Sequence, residues 1–152
     1  MEQMFEIELP KDKTQVWDNY CPLLMSPSGR TAHVFLTDNI EVPNVYNEVY
    51  FMLLNAQEGD EITFHINNGG GYLASANMLY YAMVKSKAKI HGILTGTVAS
   101  AATVLTMACD TIEVAPYTEF MIHNYSSHGT GGKGRELKDQ MDFVNNEINE
   151  SF

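Results

Sequence analysis

The sequence predicts an α/β domain whose helices pack on a mostly parallel sheet. Two observations carry that prediction. Residues 61–87 and 89–109 are two consecutive units of strand, glycine-containing turn and helix, the arrangement that builds parallel α/β folds. A chain of 152 residues with 45% apolar side chains is also near the size of one domain with one sizeable core.

Taken in order, residues 1–29 form a divergent N-terminal arm or edge segment. They contain Pro10, Pro22, Pro27 and the turn-like "SPSG" and show no long apolar period. The stretch "HVFLT" (33–37) has strand composition. Pro43 suits the first turn of a helix running to about Gln57, with Val45, Val49, Met52 and Leu53 on one face and Gly59 as its stop. "EITFHI" (61–66) is a strand by its β-branched and aromatic content, "NNGGG" (67–71) a tight turn, and "YLASANMLYYAMVKSK" (72–87) a helix. The second unit is the strand "KIHGILTG" (89–96) and the helix "VASAATVLTMAC" (98–109). Short strands follow at "TIEVAP" (111–116) and "EFMIH" (119–123). A glycine-rich loop "HGTGGKG" (128–134) then leads to a last helix with Leu137, Met141, Val144 and Ile148 at helical spacing.

Composition excludes several function classes. With 19 acidic against 9 basic residues the formal charge is −10, a balance that repels phosphate backbones, so no nucleic-acid partner is expected. None of the uncharged stretches approaches the ~20 apolar residues of a membrane span, and the N-terminus "MEQMFEIELPKDK" is acidic where a signal peptide is basic. The chain therefore reads as soluble and cytoplasmic, with no membrane partner. Cys21 and Cys109 make no disulfide framework and no Cys/His metal spacing, so neither a metal nor a cofactor is expected.

Three stretches bear chemistry. "GTGGKG" matches G-x-G-x-x-G at Gly129, Gly131 and Gly134, but the preceding strand is short and Gly134 stands where a P-loop needs Ser or Thr, so the match reads as a decoy. "NNGGG" follows a strand and opens a helix, where backbone amides could stabilise an anion, or simply make a strained turn. Ser100, in "GTVASAATVL", occupies the equivalent place in the second unit. A lone serine there is most often an N-cap; an exposed serine at a strand-to-helix turn is also how hydrolases present a nucleophile, with the next backbone N–H as oxyanion donor. Such a nucleophile needs a base. His33, His65 and His91 alternate with apolar residues inside strands and read as structural, His128 lies in the glycine loop, and His123 ends the strand "EFMIH".

Glycine turn, serine turn and strand-end histidine, in that order, resemble the ClpP-like serine peptidases, the proteolytic subunits of the Clp protease. "VFLTDNIEVPNVYNEVYFMLLNAQ" is similar to that family's first strand and helix, and "FHINNGGGYLASANMLYYAM" to its I-N-S-P-G-G segment and following helix. "GILTGTVASAATVLTMA" resembles the nucleophile segment G-x-x-A-S-x-[GA], and "EFMIHNY" the M-I-H-Q-P segment; the likeness covers about residues 30–150. Departures are Asn68-Gly69 for the family's Ser-Pro, Asn124-Tyr125 for its Gln-Pro, and an N-terminal arm unlike its axial loops.

The resemblance implies a ClpP/crotonase-like α/β fold of spiralling ββα units over residues 30–152. It implies Ser100 as nucleophile, His123 as general base, and the backbone N–H groups of Gly70 and Ala101 as oxyanion hole. The family's triad aspartate lies further beyond the histidine than residue 152, so it is not expected within this chain, and the domain reads as truncated at its C-terminus. Asp139 and Asp142 match the family's handle helix and are not assigned to the triad. Also implied are a peptide or unfolded-protein substrate, homo-oligomeric, heptameric rings enclosing a chamber, and an AAA+ unfoldase that feeds it. The alternatives are a catalytically inactive or capsid-processing subunit and a crotonase-type acyl-CoA enzyme.

Overall fold

A computed structural model describes residues 23–26 and 29–123. Expectations on Cys21, His128, the G-x-G-x-x-G run, Asp139, Asp142 and the last helix lie outside the described residues. The chain divides into two compact units, Met1–Phe120 and Met121–Phe152.

The first unit is α/β, as the repeated strand, turn and helix pattern requires. Its elements are β1 (Leu23–Met25), β2 (Thr31–Ile40), a 3-10 turn at Pro43–Tyr46, α1 (Asn47–Asn55), β3 (Glu61–Gly71), α2 (Leu73–Lys85), β4 (Lys89–Ala99), α3 (Ala101–Thr106) and β5 (Thr111–Val114). A last strand, β6 (Glu119–Met121), pairs with β4. The sheet order is β1-β2-β3-β4-β5. β2, β3, β4 and β5 run parallel to one another, whereas β1 is antiparallel to β2. β1 lies inside the stretch expected to be irregular: Leu23, Leu24 and Met25 pair with Val34, His33 and Ala32, which makes it the edge segment of the sheet.

Alternation along the strands sends successive side chains to opposite faces. Val34, Leu36, Ile62, Phe64, Ile66, Ile90 and Leu94 point to the helix-covered face and are almost fully buried. Against them pack Val49 and Leu53 of α1, Ala76, Leu79, Ala82 and Met83 of α2, and Ala102 and Leu105 of α3. The 3–4 spacing of the α2 residues is what lets one helix stripe cover the sheet. Each fully buried Leu, Ile or Phe contributes about 1.5–3 kcal/mol through area removed from water. The other face carries the three strand histidines. His33 Nδ1 and His65 Nε2 share a hydrogen bond of 3.0 Å, and Phe35 stacks on His65 with centroids 4.6 Å apart.

Element ends depart from the expectations in an informative way. α1 stops at Asn55 and not at Gln57, because Ala56 is extended and the Gln57 N–H donates to Asp60 Oδ2 at 2.8 Å. "NNGGG" is no free turn. β3 continues through it, with Asn67 opposite Thr37 and Asn68 opposite both Asp38 and Val98. β4 likewise runs past Gly96 to Ala99, so α3 begins at Ala101 and not at residue 98. Ladder pairing from both sides overrides the weak intrinsic preference of these polar and glycine residues. The consequence is geometric: two strand ends, Gly69–Gly71 and Val98–Ala99, are carried side by side to the edge where Ser100 turns into α3.

Candidate active site around Ser100

Ser100 joins β4 to α3 with φ 54° and ψ −128°. A side-chain-bearing residue rarely adopts a positive φ, and holding one there costs of order 1–3 kcal/mol, which surrounding structure must impose. Small neighbours make the turn sterically feasible. Ala99 and Ala101 are buried on either side, and Ala102 is completely so. The Ser100 carbonyl accepts the Thr103 N–H at 3.0 Å and the Thr103 hydroxyl at 2.7 Å, which anchors the turn to the first residues of α3.

The hydroxyl itself does not cap the helix, since no side-chain cap hydrogen bond is made at this N-terminus. That separates the two sequence readings of Ser100. An N-cap serine keeps an extended backbone and lends its oxygen to the second or third N–H of the helix. Here the backbone is instead contorted and the side chain stands half-exposed at a sharp strand-to-helix bend, the geometry by which a serine nucleophile is presented.

Gly70 lies directly beside it. A Cβ added at Gly70 would meet Ser100 Cβ at 2.6 Å, the Ala99 carbonyl oxygen at 2.9 Å and Ser100 Oγ at 3.1 Å, and Gly70 has φ +98°. Both the space and the backbone angle therefore demand glycine at this position. The structure thus brings together Ser100, Ala101 and Gly70, three of the residues singled out from the sequence, although thirty positions separate Gly70 from Ser100.

Two asparagines, seen in the sequence only as neighbours of the glycines, hold this arrangement. Asn67 Oδ1 accepts the Thr97 N–H at 3.0 Å and ties the end of β3 to that of β4. Asn68, 1% exposed, accepts the Gly70 N–H on its Oδ1 at 2.8 Å. The Gly70 amide expected to face an oxyanion is thus engaged by the Asn68 carboxamide. Asn68 Nδ2 is buried and has no hydrogen-bond partner among the described residues. An orphaned buried donor costs about 1–3 kcal/mol. Turning the amide over would set two donors face to face at Gly70, so Gly70 fixes the Asn68 orientation. The signal that could have found Asn68 is its place two residues before a glycine, where asparagine closes a local turn onto the backbone.

His123 lies in the second unit, two residues beyond β6, and is exposed. Among the other titratable groups, burial and then the charges of His33 and His91 lower the His65 pKa below its usual 6.5. Burial, and after it Asp110, pushes the Cys109 thiol up to about 11, which leaves it far from the thiolate form a reactive cysteine needs. Among the described residues no group of three or more His, Cys, Asp or Glu side chains is placed to hold a metal, and no helix is long and apolar enough to cross a membrane. A concavity of about 550 Å³ lies between β1, the start of β2 and α1, lined by Met25, Ala32, Phe51, Met52 and Ile62 among others. It contains none of Gly70, Ser100, Ala101 and His123.

No curated protein matches the chain. A family model described as Clp protease matches residues 18–150, which span β1 to β6 and both Ser100 and His123. With most of the chain so matched, the protein belongs to the Clp protease family.

Proposed function

We propose that this ClpP-like peptidase is a serine endopeptidase in which Ser100 is the nucleophile and His123 the general base. The observation that carries the reading is the Ser100 backbone: a residue held at φ 54°, ψ −128° with its hydroxyl withheld from helix capping. Strain of this kind clusters at active sites and ligand clamps.

In this reading Ser100 Oγ attacks the carbonyl carbon of a peptide bond while His123 takes the hydroxyl proton. The Ala101 N–H stabilises the oxygen that becomes negative, the Gly70 N–H being donated to Asn68 Oδ1. His123 returns the proton to the leaving amine, whose C–N bond breaks, and an acyl group remains on Ser100. Water, deprotonated by His123, then attacks the acyl carbon and releases the second peptide and free Ser100. The substrates are peptides or unfolded chains, and the protein acts as a homo-oligomeric, heptameric ring assembly around a chamber supplied by an AAA+ unfoldase. Family membership supports the assembly.

The test is intact-protein mass spectrometry after treatment with a fluorophosphonate probe. One adduct that is lost in Ser100→Ala and forms more slowly in His123→Ala is the expected outcome. An adduct that persists in Ser100→Ala, or no adduct on the folded wild type, refutes the assignment. Native mass spectrometry of the same sample reads the ring size.

A further inference from the structure

Outside the serine and its immediate neighbours, the least explained group in the molecule is Asn68. Its side chain is almost wholly buried, one end of its amide is used and the other is unpartnered. A fold gains nothing from an unsatisfied buried donor, and a smaller or apolar residue would avoid the penalty. The position also departs from the resembled family, which has serine there.

The used end does one thing. Asn68 Oδ1 accepts the Gly70 N–H at 2.8 Å, and Gly70 is the residue whose Cα hydrogen faces Ser100, so closely that a Cβ would reach within 3.1 Å of Oγ. The backbone on either side, Gly69 to Gly71, consists of three glycines, which lose the most conformational freedom on ordering and have no side chains to hold them. The β2 to β3 register also slips here, between the Asp38 and Ile40 pairings. The Asn68 carboxamide therefore supplies a fixed hydrogen bond where the ladder is irregular and the chain is most pliable.

On these grounds, and resting on the reading of Ser100 as nucleophile, we propose that Asn68 is a positioning residue for the reaction. By accepting the Gly70 N–H it fixes the glycine backbone against Ser100, and so holds the hydroxyl in register with the Ala101 N–H that faces the developing oxyanion. It touches neither substrate nor the reacting atoms, so it acts on the rate of attack and not on substrate binding.

Labelling by a fluorophosphonate probe separates these effects, because the rate at saturation reports attack by Ser100 and the half-saturating concentration reports binding. A misplacement of about 1 Å at a reacting group can cost about 10²-fold in rate, so loosening the glycine backbone beside Ser100 in Asn68→Ala is expected to lower the saturating rate about tenfold at unchanged half-saturation. Asn68→Ser, whose hydroxyl can also accept an N–H two residues on, is expected to fall between alanine and wild type. Thermal unfolding of each variant shows whether it is folded. If alanine is not, the serine variant carries the test: a saturating rate below wild type at unchanged half-saturation supports the proposal.

Ser100-dependent labelling at wild-type rate or faster in the folded variants overturns it; a faster rate would mean that Oδ1 competes with the oxyanion for the Gly70 N–H. A loss confined to half-saturation also overturns it. Labelling that survives Ser100→Ala is a different failure, since it removes the serine assignment and this proposal with it.

Discussion

Replacing Ser100 by glycine, with alanine as the control, isolates the strain on which the nucleophile assignment rests. Both substitutions delete the hydroxyl, so both abolish labelling, and both keep the backbone carbonyl that Thr103 bonds at 3.0 and 2.7 Å. They differ only in the Cβ. Alanine retains it and so remains forced into φ 54°, ψ −128°, whereas glycine enters that region freely. Relief of a disfavoured backbone conformation is worth about 1–3 kcal/mol, and the extra freedom of glycine in the unfolded chain takes back roughly 0.5–1 kcal/mol. Ser100→Gly should therefore be more stable than Ser100→Ala by up to about 2.5 kcal/mol. In domains of this size each kcal/mol moves Tm by roughly 2–4 °C, a difference that circular dichroism or scanning calorimetry resolves. An inactive protein more stable than its equally inactive alanine counterpart is the expected result. If the glycine variant melts below the alanine variant, Ser100 carries no strain and the argument from its backbone collapses.

Other consequences can be measured alongside. Gly70→Ala combines a left-handed backbone with a Cβ 2.6 Å from Ser100 Cβ, so it should destabilise by about 2–5 kcal/mol in urea unfolding and suppress Ser100 labelling; wild-type stability would mean that the space beside Ser100 is open. The depressed His65 pKa means the folded state binds fewer protons than the unfolded one in the histidine range. Stability owed to neutral His65 is therefore present above pH 6.5 and lost as pH falls through that value toward the lowered one. Tm measured from pH 7.5 downward should accordingly fall, and fall less in His65→Gln. Because burial raises the Cys109 thiol to about 11, peptide-resolved alkylation at pH 8 should find Cys109 unmodified in the native protein and modified after denaturation.

The residues themselves announced the fold class, and with it the two repeated units, because strand alternation and helical spacing are local properties of the chain. Val34, Leu36, Phe64 and Ile66 alternate toward one face, and Leu79, Ala82 and Met83 recur at helical spacing; any chain with that pattern must cover one sheet face with helices. The serine turn and the glycine run were legible for the same reason, as breaks in those periods. What such breaks mean was not. Whether "NNGGG" is a turn or a strand depends on neighbours at Thr37, Asp38 and Val98 that are distant in sequence, since their pairing overrides the turn preference of glycine and asparagine. Whether Ser100 caps a helix or is forced into a strained bend depends on how far β4 is paired, and only the tertiary ladder carries it to Ala99. The approach of Gly70 to Ser100 exists only once β3 and β4 lie side by side, because contacts between residues thirty positions apart are properties of the packed sheet, not of either segment.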